Sequence, residues 1–524
     1  MGETVVEAVR RHARAQPDAI AYWTPARSWS FAQLEEESNR VAQGLLALGI
    51  GKDERVACLT KHTVECVLLT LAANKVGAVC MPVNWRLAPA ELEYVLNNGK
   101  ARLLMADAAF AAAAQKVPVQ GLKLALATDQ AAARLPAFAD WRAGFAARDP
   151  GLPIDEGDTA LQLYSSGTTG LPKGVELTHR NIAASLIEAT PQAIDYGGPP
   201  DVFLNVLPTY HIAGTGVALL TVSTGGYSVM YPDFDPVKVL ASISEHRVTH
   251  TFLVPAMIQF MLQVPGIEKG DFATLKTISY GASPITEKVL TGAMRVFGCD
   301  FVQVYGLTET TGAVTYLPPE DHDPEGPKKH LLRSAGRPML NVEIRVVDPA
   351  SGQDAADGAI GEVWIRTPQN MKGYWDNARA TRDAFVSRGP DGMGWFRSGD
   401  AGYLREGYLF LHDRIKDMIV SGGENIYPAE VENVLMQHPA VADGAVIGVP
   451  DEQWGEAVKA CVVLKPGVQA TQGEIVDFMR ARIAHYKCPR SVDFMQAIPR
   501  NPTGKILKRV LREPYWQGRE RRIA

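Results

Sequence analysis

Short apolar runs alternate with helix-length amphipathic segments through the first four-fifths of the chain, and this alternation most restricts the folds open to it. Val56-Ala57-Cys58-Leu59 reads as a buried strand, and Thr63 to Ala73 carries apolar residues at helical spacing. Gly77 to Val83 reads as the next strand, and Leu103 to Ala106 repeats the theme. Alternation of this kind places helices against largely parallel sheets, so the expected class is α/β. The alanine-rich stretches 108–115 and 126–139 read as surface helices. A chain of 524 residues exceeds what one simple core serves, so two or more domains are expected.

The pattern changes near 340–412. Val342 to Val347 and Gly361 to Arg366 alternate with period two around a turn-rich stretch, which predicts a β-rich subdomain. A small α/β unit then begins. Pro428 suits a helix first turn, with Val431, Val434 and Leu435 on one face. Ala445 to Val449 and Ala460 to Leu464 read as strands, and Ile475, Phe478, Met479 and Ile483 mark a further helix. The expected organisation is a large N-terminal domain over 1–414 and a small C-terminal domain over 415–524.

Lys and Arg total 53 and Asp and Glu 58, a net charge of −5, which argues against a general nucleic-acid binder. The six cysteines lack zinc-ligand spacing and read as small buried hydrophobes in a reducing compartment. The N-terminal residues carry charges inside their apolar pattern and do not read as a signal peptide. From Val202 to Pro232 there is no charged residue, but Pro208, Gly214, Gly216, Gly225 and Gly226 break the run. It reads as strand, loop and buried helix, not as a membrane span. A cytoplasmic location is expected, and peripheral membrane contact and a homodimer are both compatible with the sequence.

The densest chemical signal is the run 164–174: Tyr164-Ser165-Ser166-Gly167-Thr168-Thr169-Gly170-Leu171-Pro172-Lys173-Gly174. Glycines let a backbone turn tightly against a phosphate, freed N–H groups and hydroxyls donate to its oxygens, and lysine adds charge. Pro172 precedes Lys173, and Gly174 stands where a Walker A motif carries Ser or Thr, so this is not an ordinary P-loop ATPase. The loop resembles the phosphate loop of the adenylate-forming superfamily. That family includes acyl-CoA synthetases, non-ribosomal adenylation domains and luciferases.

Further segments resemble the family's motifs in the same order: Pro208-Thr209-Tyr210-His211, Tyr280-Gly281-Ala282-Ser283-Pro284, Tyr305-Gly306-Leu307-Thr308-Glu309, Ser398-Gly399-Asp400, Asp413 to Asp417, Ser421 to Pro428, and Pro499 to Lys505. The resemblance spans essentially the whole chain and is closest to bacterial fatty-acyl-CoA synthetases. It implies activation of a carboxylic acid by ATP to acyl-AMP and pyrophosphate, then attack by the thiol of coenzyme A. A bare carboxylate is a poor acyl donor because its leaving group would be oxide, and AMP leaves readily. The first step loads charge on phosphate oxygens, so it needs cations and N–H donors more than acid–base catalysis.

On this resemblance Ser165, Ser166, Gly167, Thr168, Thr169 and Lys173 cradle the β- and γ-phosphates, Glu309 holds Mg²⁺, and Thr308 touches the α-phosphate. Asp400 accepts the ribose hydroxyls with Arg414 beside it, while Gln303, Tyr305, Gly306, Gly281, Ala282 and Ser283 border the adenine. His211 stands beside the substrate carboxylate, and Ala213, Gly214 and Gly281 leave room for an apolar tail. The small, mobile C-terminal domain presents Lys505 for adenylation, then turns about Lys416 so that Ser421, Gly422 and Gly423 line the coenzyme A channel. Taken singly, Asp400 could cap a turn, Glu309 could be a solvated carboxylate and Lys505 a solvated lysine; the ordered set favours function. A fatty acid is the expected substrate, with aromatic or alicyclic acids and loading of a carrier protein as alternatives. A non-catalytic homologue would be expected to lack Lys505, Glu309 or Asp400.

Overall fold

A computed structural model describes residues 2–128, 130–165, 171–349, 351–387, 393–414, 417–422, 424–500 and 506–517. The chain separates into two compact units. The first is built from Met1–Leu332, Gly336–Glu343 and Arg366–Phe396, and the second from Arg333–Ala335, Ile344–Ile365 and Arg397–Ala524. In this division the β-rich stretches 344–365 and 397–414 group with the C-terminal residues.

The first unit is α/β with two large sheets. One has the strand order Arg337–Pro338, Gly312–Leu317, Asp300–Leu307, Thr277–Gly281, His250–Leu253, Val202–Asn205, Tyr227–Met230, Ile20–Trp23, Ser28–Ser30. Its interior strands are parallel and its two edges antiparallel. The other runs Gly373–Tyr374, Lys173–Thr178, Thr159–Ser165, Val79–Pro82, Arg55–Leu59, Ala101–Ala106, Leu124–Ala127. It is parallel except at the first three strands. Strands buried on both faces account for the continuous apolar runs in the sequence. Leu204, Val229, Leu253, Ile278 and Phe301 form one such core with Ile243, Ile258 and Leu290 from the helices against it.

Local chemistry sets where the helices start. Thr4 and Ser30 each accept from the backbone N–H three residues on, at Glu7 and Gln33, whose side chains accept in return. The helix Val64–Lys75 is buried almost all round. Its Lys75 is tolerated there because the ammonium donates to Glu35 (2.8 Å), Ser38 (2.8 Å) and Asn39 (2.7 Å). The uncharged stretch contains the strand Val202–Asn205, the buried helix Ile212–Ser223 and the strand Tyr227–Met230. Among the described residues no helix is long and apolar enough to cross a membrane.

One expected helix is corrected. The stretch 108–115 is helical, but 126–139 is not one helix: Leu126 and Ala127 end a strand paired with Ala101–Ala106, Ala133 and Arg134 have left-handed φ of 49° and 66°, and a helix, Phe138–Ala143, begins only at its last two residues. Alanine content alone cannot separate a helix from a buried edge strand, and Leu124-Ala125-Leu126-Ala127 joins a sheet already present.

The second unit takes in, from Arg397 onward, the hairpin of Trp395–Arg405 with Tyr408–Arg414, which lies beside Gly361–Arg366. It also contains a sheet built on the long hairpin Val441–Asp451 with Gly455–Leu464, extended by Ile419–Ser421 and by the parallel strand Ser491–Phe494. One face packs Ile426, Val446 and Val462 against Val431, Leu435, Ile475 and Met479 from the helices Pro428–Leu435 and Gln472–Arg480. The other packs Ala445, Ile447 and Cys461 against Leu511 of the helix Lys508–Trp516. Ile483, expected on a helix, lies beyond the helix end at Arg480 but still packs on this core.

Candidate active site

The glycine-rich run joins two antiparallel strands. Thr159–Ser165 enters it and Lys173–Thr178 leaves it, so Ser165 and Lys173 face each other across the two stems. Ser166, Gly167, Thr168 and Thr169 lie outside the described residues. The stems rest on Arg55, a buried cation that donates to Gln162 (3.1 Å) and Glu176 (2.9 Å) and stacks 3.4 Å from the Trp375 ring. Burial lowers the Arg55 pKa from its ordinary value, and Glu176 offsets that effect.

Glu309 is delivered by a change of backbone geometry. The strand Asp300–Leu307 runs into a single 3₁₀ turn, Thr308–Thr310, and Thr311 reverses the chain with a left-handed φ of 53°. The Thr310 hydroxyl accepts from the Leu307 N–H at 2.9 Å and holds the turn. Gly306 permits the return strand to come close, because a Cβ there would lie 1.8 Å from the Gly312 carbonyl oxygen. Glu309 Oε1 then accepts from Ser165 Oγ at 3.0 Å and from the Tyr374 hydroxyl at 3.1 Å. The Lys173 ammonium sits 4.9 Å from the centre of the Tyr374 ring. Thr308, Glu309, Ser165 and Lys173, apart in sequence, thus share one site.

Gly281 and Gln303 come from neighbouring parallel strands, Thr277–Gly281 and Asp300–Leu307. A Cβ on Gly281 would lie 2.2 Å from the Val304 carbonyl oxygen, so glycine is required for the strands to approach. Ala282 follows with a left-handed φ of 66°, a strained conformation for alanine, and Ser283 and Tyr305 are half-buried. The neighbouring Tyr280 hydroxyl lies 3.0 Å from His322 Nε2, and His322 Nδ1 lies 2.9 Å from the Pro318 carbonyl. The carbonyl can only accept, so Nδ1 carries the proton and Nε2 accepts from Tyr280.

His211 precedes the helix Ile212–Ser223 in extended conformation, with its ring 4.5 Å from that of Tyr210. Burial, followed by the nearby Arg86 charge, pushes the His211 pKa down to about 4, so the imidazole is neutral at physiological pH. His211 Nε2, the Tyr210 hydroxyl and Gln303 Oε1 are buried with no hydrogen-bond partner among the described residues. Ala213 is half-buried. Gly214 serves backbone packing: a Cβ would lie 2.2 Å from the Pro208 carbonyl oxygen.

In the second unit Asp400 is buried opposite Arg414 on the adjacent strand, and its N–H donates to Ser398 Oγ at 3.0 Å. Ser421 ends the strand Ile419–Ser421, and Gly422 follows with φ 62°. The Gly422 N–H donates to the Trp454 carbonyl at 2.8 Å, and a Cβ there would meet the Trp454 ring at 2.5 Å. Lys416, Gly423 and Lys505 lie outside the described residues. The motifs do not point to Tyr374 or Trp375. The strand Gly373–Tyr374, with Trp375 just after it, is two residues long and too short to show periodicity; the adjacent aromatic pair is the one signal the sequence carries.

The chain matches the family of AMP-binding enzymes over residues 9–375 and the AMP-binding enzyme C-terminal domain over 430–505. It belongs to the AMP-binding enzymes, and its class is that of the AMP-forming acid–thiol ligases. It is 38% identical to the fatty acid–[acyl-carrier-protein] ligase ScoC of Streptomyces coeruleorubidus, over 99% of this chain and 98% of that protein. It is 37% identical to the long-chain-fatty-acid–CoA ligase FadD13 of Mycobacterium tuberculosis (strain ATCC 25618 / H37Rv), over 97% of each. The crystal structure of ATP-bound MatB from Rhodopseudomonas palustris matches with a TM-score of 0.86 at 30% identity, covering 98% of this chain and 99% of that one.

Proposed function

We propose that this enzyme activates a fatty acid with ATP and passes the acyl group to coenzyme A. The observation that carries the adenylation step is the meeting of Ser165, Lys173 and Glu309 at the two stems of the glycine-rich run. Ser165 and Lys173, with Ser166, Gly167, Thr168 and Thr169, would bind the β- and γ-phosphates, and Thr308 the α-phosphate. The Glu309 carboxylate, with the Ser165 hydroxyl beside it, is a hard-oxygen donor set that fits Mg²⁺. A bound Mg²⁺ would supply charge neutralisation for departing pyrophosphate. Gly281, Ala282, Ser283, Gln303, Tyr305 and Gly306 would border the adenine, and Asp400 with Arg414 the ribose.

His211, neutral through burial, would orient the acid without removing a proton from it. Attack of the carboxylate oxygen on the α-phosphorus releases pyrophosphate, with Lys505 stabilising the charge. Attack of the thiol on the acyl carbon then releases AMP, with Ser421, Gly422 and Gly423 beside the pantetheine arm. The domains 1–414 and 415–524, pivoting at Lys416, would serve the two steps in turn. A cytoplasmic location fits enzymes that draw on ATP and coenzyme A.

A second reading, acyl transfer to a carrier protein, is favoured by the similarity to ScoC. Pyrophosphate release and thioester formation, measured with a panel of fatty, aromatic and alicyclic acids and either thiol, separate these readings. Fatty-acid-dependent pyrophosphate release with acyl-CoA formation is the expected result. Thioester formation on a carrier protein alone would replace the coenzyme A step, and preference for an aromatic acid would replace the fatty acid.

A further inference from the structure

The segment 368–381 lies across the phosphate-loop hairpin. Asn181 Nδ2 donates to the Pro368 carbonyl (2.8 Å), and the Met371 N–H donates to the Glu309 carbonyl (2.8 Å). The Lys372 and Trp375 N–H groups donate to the carbonyls of Glu176 (2.9 Å) and Gly174 (2.7 Å). One short stretch of backbone therefore ties the outgoing stem of the hairpin to the turn that carries Glu309. Thr381 fixes the stretch from the other side. Its hydroxyl accepts from the Tyr374 N–H at 2.9 Å, and a Cβ on Gly373 would lie 2.9 Å from its methyl group.

This backbone gives Tyr374 a defined direction. Its hydroxyl donates to Glu309 Oε1 at 3.1 Å, the same oxygen that accepts from Ser165 at 3.0 Å, and Lys173 lies 4.9 Å from the ring centre. Glutamate and lysine are flexible side chains that lose rotamer freedom when they are ordered. A donor on the carboxylate and an aromatic face beneath the ammonium order both before nucleotide arrives, which is how positioning groups accelerate a step they do not perform.

We propose that Tyr374 is a positioning residue of the adenylation centre, holding the Glu309 carboxylate through its hydroxyl and the Lys173 ammonium against its ring. This rests on the adenylation function proposed above. Tyr374→Phe removes the hydroxyl and keeps the ring; Tyr374→Leu removes both. Tyr374→Phe is expected to lower acid-dependent pyrophosphate release about tenfold, the scale of one lost hydrogen bond to a charged group. It should leave thioester formation from supplied acyl-AMP within about twofold and the melting temperature unchanged. Tyr374→Leu should lose more in the first step, because Lys173 is also released.

The discriminating measurement is a double-mutant cycle: in a Glu309→Gln background, Tyr374→Phe should cost less than about twofold, since no carboxylate is left to position. Calorimetric titration with MgATP should show weaker binding to Tyr374→Phe than to the unaltered protein. Fully additive losses, equal losses in both half-reactions, or unchanged MgATP binding would overturn the proposal. Absence of pyrophosphate release from the unaltered protein would overturn the adenylation function instead, and the titration would still decide the role of Tyr374.

Discussion

Two regions of the first unit treat their polar atoms in opposite ways. At the hairpin stems the Glu309 carboxylate receives two protein hydroxyls, and Arg55 beneath is paired with Glu176, Gln162 and Trp375. Around His211 and Gln303, by contrast, an imidazole nitrogen, the Tyr210 hydroxyl and an amide oxygen are buried without a partner among the described residues. Leaving a buried polar group unmade costs about 1–3 kcal/mol. A ligand that supplied those partners would recover that cost. The difference is that the protein itself supplies partners to the Glu309 carboxylate and supplies none, among the described residues, to His211 Nε2, the Tyr210 hydroxyl and Gln303 Oε1.

The sharpest break in that comparison is Glu309→Gln. It should slow adenylate formation by about 10²–10³-fold, typical of losing one group that stabilises developing charge, and spare thioester formation from supplied acyl-AMP. Single-turnover measurement of each half-reaction checks it; an equal loss in both would make Glu309 a folding residue.

Gly281→Ala should follow in size. The new methyl would lie 2.2 Å from the Val304 carbonyl oxygen, which is backbone and cannot swing aside. Forcing the strands apart should cost about 1–3 kcal/mol of stability and weaken ATP binding, read from urea unfolding and nucleotide titration. An unchanged unfolding midpoint would show that the sheet yields there.

His211→Ala tests the unpaired side. It should raise KM for the acid about tenfold, on the scale of one buried hydrogen bond, while KM for ATP stays constant. A matching rise for ATP would remove the assignment of His211 to the acid.

The last effect is one of proton linkage, and it is confined to pH below about 6.5. Burial holds His62 down to about 3 and His179 and His211 down to about 4, against an ordinary value near 6.5. Above pH 6.5 both folded and unfolded forms are neutral, so stability is flat with respect to these groups. Below it the unfolded chain takes up protons that the folded chain refuses, and stability falls as pH drops from 6.5 toward 4. His62→Asn should reduce that slope by about one proton, seen in unfolding free energies measured across pH 4.5–7. An unaltered slope would mean that His62 is protonated in the fold.

Much of the architecture is legible in the residues. The strands at Val56, Val79 and Leu103 and the helix after Thr63 follow from local patterns, because two faces of burial leave a continuous apolar run. The start of the helix Pro428–Leu435 is legible because proline lacks the N–H that a first turn does not use. The stretch 126–139 is not legible from composition, because its alanines suit either state and pairing with the neighbouring strand decides for its first residues. Small residues in His211 to Leu220 suggest room for a tail, yet Gly214 is glycine because a carbonyl oxygen lies where its Cβ would be.

The α/β alternation can be read from spacing over a few residues, and the order of the motifs from their resemblance to those of the adenylate-forming family. What only the tertiary structure decided is which side chains meet. Ser165, Glu309 and Tyr374 span more than two hundred positions, yet their oxygens lie about 3 Å apart, and Arg55 reaches Trp375 across still more. Such meetings depend on strand register and on glycines where two backbones touch. Those are properties of packed sheets, and no local pattern encodes them.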